Sequence, residues 1–371
     1  MKAKIGAILF LAAIVALTVL VIYNREHSAI ESQDSSSFHL AKFSEQLPNN
    51  RVKCGLCPNK CVLSDGQIGT CRARKNIGGR LYSMVYGKIA AAHLDPIEKK
   101  PFYHVLPGSK AFSIATTGCN LQCKFCQNWQ IAQVYPWEVA TMNMSPEEVV
   151  DAAVQSGAAS IAFTYSEPTI FIEYIMDIAT LARQRGLKTV VVSAGYINPE
   201  PLKELLKYID AIKIDFKGYD DKFYVKMTKG HLQPVLDAMK VIKESGVWLE
   251  IVNLVIPSEN DSDEELAGIA RWVKDNLGTD VPVHFTRFHP EYKIQNLPPT
   301  PVDTLKKARQ VALDMGLKYV YTGNVYYPEG DTTYCPISRE KAIERQGFFV
   351  VENNLKDGKC ADGEVIPGVW K

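Results

Sequence analysis

Net charge is what this sequence most conspicuously lacks. Its 371 residues carry 42 lysines and arginines against 41 aspartates and glutamates, a formal net charge of +1. Nucleic-acid surfaces depend on a basic excess, so no nucleic-acid partner is expected. Charge is also missing from Ile5 to Tyr23. At about 1.5 Å per residue, a helix over that run reaches about 28 Å, enough to cross a bilayer core. No twin-arginine pair precedes it, and it is longer than the ~7–15 apolar residues of a cleaved signal. The expectation is an uncleaved single-pass anchor over 1–23 and a polar, serine-rich tether over 24–50. Lys2 and Lys4 favour a cytoplasmic N-terminus with the remainder outside, weakly opposed by Arg25. The chemistry read below belongs in the cytosol. The expected localisation is therefore the cell membrane with a cytoplasmic catalytic domain, and the conflict over topology stays open.

Cysteine is present, and its placement is uneven. Seven of the nine cysteines fall into two tight groups, 54/57/61/71 and 119/123/126, while 335 and 360 stand apart. Such spacing favours metal over disulfides in a reducing compartment; outside the cell, disulfides would compete.

From residue 111 onward, strands alternate with amphipathic helices. Ser145-Pro-Glu-Glu148 and Ser262-Asp-Glu-Glu265 are capping boxes, each opening a helix. Glycines at 157, 186, 246 and 316 end helices before the apolar runs at 159–163, 189–192, 248–252 and 319–321. Further strands are expected at 111–116, 211–214 and 281–285. Six or seven such units predict a parallel sheet, either an open or partial barrel or a doubly wound sheet. Cys119, Glu167, Ser193, Asp215, Asn253 and His289 each follow a predicted strand, and the strand C-terminal edge carries the chemistry in parallel α/β folds.

Cys119-Asn-Leu-Gln-Cys123-Lys-Phe-Cys126 is a CxxxCxxC motif. Three thiolates suit a 4Fe-4S cluster with one iron open to a cofactor, the logic of S-adenosylmethionine (SAM) cleavage; a closed cluster takes four. A zinc site would need a fourth ligand, and none lies near in sequence. Phe125 would shield the cluster or pack in the core. Glu167 in Thr164-Tyr-Ser-Glu-Pro168 suits the SAM amino group, or else sits at a helix N-terminus. Lys213, Asp215 and Lys217 share one face of an extended segment, to bind cofactor or to form a structural ion pair. His289 has a SAM or substrate contact as one reading and a structural role as the other. Cys54, Cys57, Cys61 and Cys71 form a second metal site, for zinc or an auxiliary iron–sulfur cluster. Cys335 and Cys360 offer at most half a tetrahedral site, so no metal is expected there.

These motifs resemble the radical SAM superfamily, close to the pyruvate formate-lyase-activating enzymes and closer to the radical SAM component of the AmmeMemoRadiSam system. The resemblance runs from about Val52 to the C-terminus. It rests on Cys54–Cys61, Gly69–Arg74, Asp95-Pro-Ile-Glu-Lys-Lys-Pro101, Cys119–Trp129, Tyr165–Pro168, Ile214–Lys217, Phe288–Pro290 and Pro367–Trp370. It implies a partial (β/α)6-type barrel over 111–325, after a Cys-rich region at 51–110 and before an extension at 326–371. It also implies a 4Fe-4S cluster on Cys119, Cys123 and Cys126, SAM on its open iron, and SAM contacts from Glu167, Ser193, Asp215, Lys217, Asn253 and His289. Ser338 and Gly363 stand where paired C-terminal zinc knuckles would have cysteines, so the extension reads as a degenerate zinc ribbon. Ala194 replaces an expected asparagine. The implied activity is reductive SAM cleavage to a 5′-deoxyadenosyl radical that abstracts hydrogen from a substrate the sequence does not name. Implied partners are an external low-potential reductant of flavodoxin or ferredoxin type and Memo-like and AMMECR-like proteins. The alternatives are a glycyl-radical-enzyme activase, although an eight-cysteine insert is absent, and a non-catalytic metal-binding or electron-transfer protein.

Overall fold

Strands and helices alternate between residues 110 and 323 to build one open sheet. The structure, a computed structural model, describes residues 38–371. The barrel strands are β1 (Ala91–Pro96), β2 (Lys110–Ala115), β3 (Ser160–Phe163), β4 (Lys188–Ser193), β5 (Ala211–Asp215), β6 (Trp248–Val255), β7 (Val283–Arg287) and β8 (Val320–Gly323). They pair in strict sequence order, parallel from β2 to β8, with β1 antiparallel at the β2 edge. Helices α1 (Pro146–Gln155), α2 (Ile172–Gln184), α3 (Pro199–Leu206), α4 (Leu232–Ser245), α5 (Asp263–Leu277) and α6 (Val302–Asp314) occupy the six crossovers. A doubly wound sheet reverses its strand order midway. This one never does, which leaves the open barrel of the two architectures the sequence allowed.

Local sequence explains the boundaries. Ser145 caps α1 reciprocally: its hydroxyl accepts from Glu148 N at 3.2 Å, and Ser145 N donates to Glu148 Oε2 at 2.6 Å. At α5 only half the predicted box forms. Ser262 Oγ accepts from Glu265 N, but the Glu265 carboxylate turns to the backbone N–H of Tyr219. The strands are apolar on both faces because helices cover one side and the barrel interior fills the other. Ile161, Val190, Val191, Ile212, Ile251 and Phe285 are all buried.

The N-terminal region packs against this barrel. Residues His39–Leu40 and Ser44–Leu47, placed by the sequence in a tether, are strands, the second paired with Arg51–Cys54. Arg74, in the strand Arg74–Ile77, joins the region to α2. Its Nη2 donates to both Glu173 carboxylate oxygens at 2.7 Å, and each side chain is 1% exposed. At the other end, β9 (Thr333–Tyr334), β10 (Lys341–Gln346) and β11 (Phe349–Asn353) form a small antiparallel sheet. Cys335 and Cys360, expected as lone thiols, are joined there as a disulfide.

The expected transmembrane helix is corrected. No helix among the described residues is long and apolar enough to cross a membrane, and the 5–23 run that carried the expectation lies outside them. The membrane localisation and membrane partnership drawn from that run have no support among the described residues.

Removing one partner of a buried ion pair leaves the other charge stranded. Glu173→Ala should therefore cost about 3–5 kcal/mol of stability, read as a lower urea midpoint with an unchanged slope.

Candidate active site

The carboxyl ends of the barrel strands converge on a cavity of about 390 Å³, within the usual range for a small-molecule site. Cys119, Cys123 and Cys126 line it. They sit on the loop leaving β2, and the structure pins that loop from several sides. Gly118 N donates to Ile131 O at 2.9 Å, Gln122 N to Thr228 O at 2.8 Å, and Lys124 N to Met227 O at 2.9 Å. The last two acceptors belong to a short π-helical turn, Tyr224–Thr228, a conformation frequent at functional sites. Burial pushes all three thiols up, Cys123 to about 12. They keep their protons until a bound cation displaces them.

Glu167 faces the same cavity. Its Oε1 accepts from Thr169 N at 3.1 Å, Thr169 Oγ1 at 2.7 Å and Ser193 Oγ at 2.6 Å. Oε2 accepts from Ala194 N at 2.9 Å, so Oε1 is saturated and Oε2 has room for one further donor. The contact at residue 194 comes from its backbone N–H, so it does not depend on which side chain stands there. Asp215 lies between Lys213 and Lys217, pairing with Lys217 Nζ at 3.1 Å on Oδ2 and with Lys213 on Oδ1. Burial pushes Asp215 up, but the two ammonium groups outweigh it and hold its carboxyl well below the usual carboxylate range.

Two expected contacts are not at the cavity. Asn253 is fully buried and donates to Phe216 O at 2.8 Å. His289 is exposed, and neither residue lines the cavity. The buried histidine of that strand is His284, whose Nε2 meets Glu250 Oε2 at 2.8 Å. Glu250 also accepts from Tyr103 N, His104 N and Trp248 Nε1, closing the other end of the barrel.

Sequence reasoning gave no role to Lys100, although its motif was singled out. Lys100 is 3% exposed, lines the cavity, and donates to Asp95 Oδ2 at 2.6 Å and Tyr165 OH at 3.0 Å. Tyr165, at φ 63°, also donates to Asp95. The signal was a lysine pair close after a strand-borne aspartate, which spacing alone does not interpret. Burial pulls Lys100 down to about 8, against the pull of Asp95.

The donor set fits an open-iron cluster. The cavity wall holds three cysteines and no fourth cysteine or histidine, and its carboxylates Glu167 and Asp215 are already taken up by Ser193, Ala194 and Lys217. The Radical SAM superfamily model matches residues 113–270. An uncharacterized protein of Methanocaldococcus jannaschii is 45% identical over 315 residues, 85% of this chain and 94% of that one. The chain belongs to the radical SAM superfamily. It is similar at 23% identity over 220 residues to the pyruvate formate-lyase-activating enzyme of Clostridium pasteurianum, covering 54% of this chain and 87% of that one. A radical SAM methyltransferase from Sphaerobacter thermophilus aligns at TM-score 0.48 and 16% identity, over 60% of this chain and 68% of that one. This radical SAM enzyme is implied by its family to use a 4Fe-4S cluster and SAM.

Folding depresses the Lys100 pKa, so its contribution to stability is full above the ordinary lysine value of 10.5 and lost as pH falls through about 8. Urea midpoints of wild type and Lys100→Met between those pH values should diverge accordingly. Parallel curves would contradict the burial of a charged Lys100.

Proposed function

We propose that Cys119, Cys123 and Cys126 hold the 4Fe-4S cluster and that SAM fills the cavity beside it. When bound and reduced by one electron, this pair supplies a 5′-deoxyadenosyl radical for hydrogen abstraction. The single observation behind this assignment is the meeting of three thiols, Glu167 and Asp215 in one cavity from the ends of three different strands.

The chain's own residues then have distinct work. Glu167 Oε2 receives the SAM ammonium as a charge-assisted acceptor, held in orientation by Thr169 and by Ser193, whose hydroxyl also accepts from Gly195 N at 3.0 Å. Lys217 and Lys213, fixed by Asp215, face the cavity with positive charge suited to a carboxylate or ribose oxygen. Phe125, on the cavity wall and 4% exposed, keeps water from the thiols. Asn253 donates to Phe216 O at 2.8 Å, and His289 is exposed; their contacts to SAM are kept as proposals.

A flavodoxin- or ferredoxin-type protein is the proposed electron donor, and Memo-like and AMMECR-like proteins the proposed partners. These rest on the family resemblance. The division at residues 51, 111 and 326 is kept as the proposed domain plan. Cys54, Cys57, Cys61 and Cys71 are proposed to hold a second metal. Relatives named as activating enzymes favour one further reading, in which the hydrogen comes from a glycyl residue of a partner protein.

Reconstituted, reduced protein with SAM should release 5′-deoxyadenosine, and Cys126→Ala should not. Equal release by both would remove the assignment. The activase reading predicts a glycyl-radical electron paramagnetic resonance signal on a candidate partner.

A further inference from the structure

The four N-terminal cysteines surround a closed cavity quite unlike the first. It measures about 10 Å³, roughly the room of a single water-sized sphere. Leu56, Leu63 and Ile170 complete an almost wholly apolar wall, and Arg74 also borders it. Cys54, Cys57 and Cys71 are buried. Cys54 N donates to Cys61 O at 2.8 Å, and Lys60 N to Cys57 O at 3.1 Å. These bonds fold the CxxC turn back on the third cysteine.

This knuckle leans on two loops of the radical site. The Cys71 carbonyl oxygen lies where a side chain on Gly118 would start, 2.4 Å from an ideal Cβ. Asn59 Nδ2 donates to Asn120 O at 2.8 Å, and Asn120 Nδ2 to Tyr196 O at 2.7 Å. Asn198 Nδ2 donates to Gly55 O at 2.6 Å, and Asn198 N to Leu56 O at 3.1 Å. One set of contacts grips the loop that carries Cys119. The other grips the loop that follows Ser193 and Ala194, the residues that orient Glu167.

We infer that Cys54, Cys57, Cys61 and Cys71 bind one zinc ion, and that this ion holds the knuckle as a brace behind the radical site. The inference rests on the reading that these cysteines take a metal, and it names which metal and to what end. An enclosed space of about one water among four cysteines suits a single ion. Four thiolates with no open position make a closed structural site. Ligation releases four thiol protons to solvent and leaves a net charge of −2, beside an Arg74 guanidinium already paired with Glu173. A bound ion would tie the four cysteines together and so fix the loops that rest on the knuckle.

Metal analysis of anaerobically purified, reconstituted protein tests this. Wild type should hold about one zinc and about four irons per chain. A Cys119→Ala/Cys123→Ala/Cys126→Ala variant should keep the zinc and lose the iron, a result that does not depend on the knuckle variants folding. Cys57→Ser should lose the zinc. Asn59→Ala should keep the zinc but yield its iron to a chelator about tenfold faster than wild type, the scale of an outer-shell contact. About eight irons without zinc, or four irons persisting in the triple variant, would overturn the zinc assignment. Equal iron release by Asn59→Ala and wild type would overturn the brace. Failure of the radical-site reading looks different: wild type with zinc but no iron.

Discussion

Close approach of two backbones at Gly118 is the contact on which the site's architecture depends. The residue sits at φ 93° with Cys71 O, Ile170 Cδ1 and Ala73 Cβ around the place a side chain would occupy. Any L-residue there would be strained by its backbone angle and blocked by the carbonyl. Because nothing intervenes, the Cys-rich region presses directly on the first residues of the CxxxCxxC loop. The Arg74–Glu173 pair then anchors that region to α2, the helix after Glu167. One glycine and one ion pair thus fix the thiols relative to the carboxylate.

Within the cavity, polar groups are committed to one another before any ligand arrives. Glu167 takes four donors from Thr169, Ser193 and Ala194, and Asp215 is held between two lysines. Such groups cost little to reorganise when a charged cofactor enters. Lys100 follows the same pattern with Asp95 and Tyr165. Each carboxylate has a lysine, a hydroxyl or a backbone N–H at its side, so the cavity holds several charges without a bare one, which burial would penalise heavily.

Much of this was legible in the sequence, because the informative signals were local. Glycine stops and capping residues marked the helices, and the βα rhythm gave the strand ends that carry Cys119, Glu167, Ser193 and Asp215. What the sequence misjudged depends on contacts distant along the chain. His289 follows a strand as expected, but its side chain is exposed, while His284, inside the strand, reaches Glu250 of the preceding strand. Asn253 alternates inward to the Phe216 carbonyl rather than toward the cavity. Cys335 and Cys360, 25 positions apart, pair only because the C-terminal sheet folds back. The capping box at Ser262 lost its glutamate to Tyr219, a competition across 46 positions that a four-residue motif cannot show.

The cavity wall has two origins, and the difference bears on how its chemistry is divided. The three cysteines, Glu167, Ser193, Asp215 and Lys217 all fall within residues 113–270, the stretch common to the superfamily. Lys99, Lys100, Thr286, Asn324 and Phe348 come from outside it. Phe348 stands at the turn between β10 and β11, in a sheet joined to the barrel floor by Arg345, whose Nη2 donates to Tyr103 O at 2.6 Å. Lys99 and Lys100 follow the antiparallel edge strand. Neither element carries a thiol, but Lys100 reaches the loop that carries Glu167 through Tyr165 OH. The Phe348 side of this outer wall can therefore differ in shape and charge while the thiols, their glycine joint and the carboxylates stay where the strands put them.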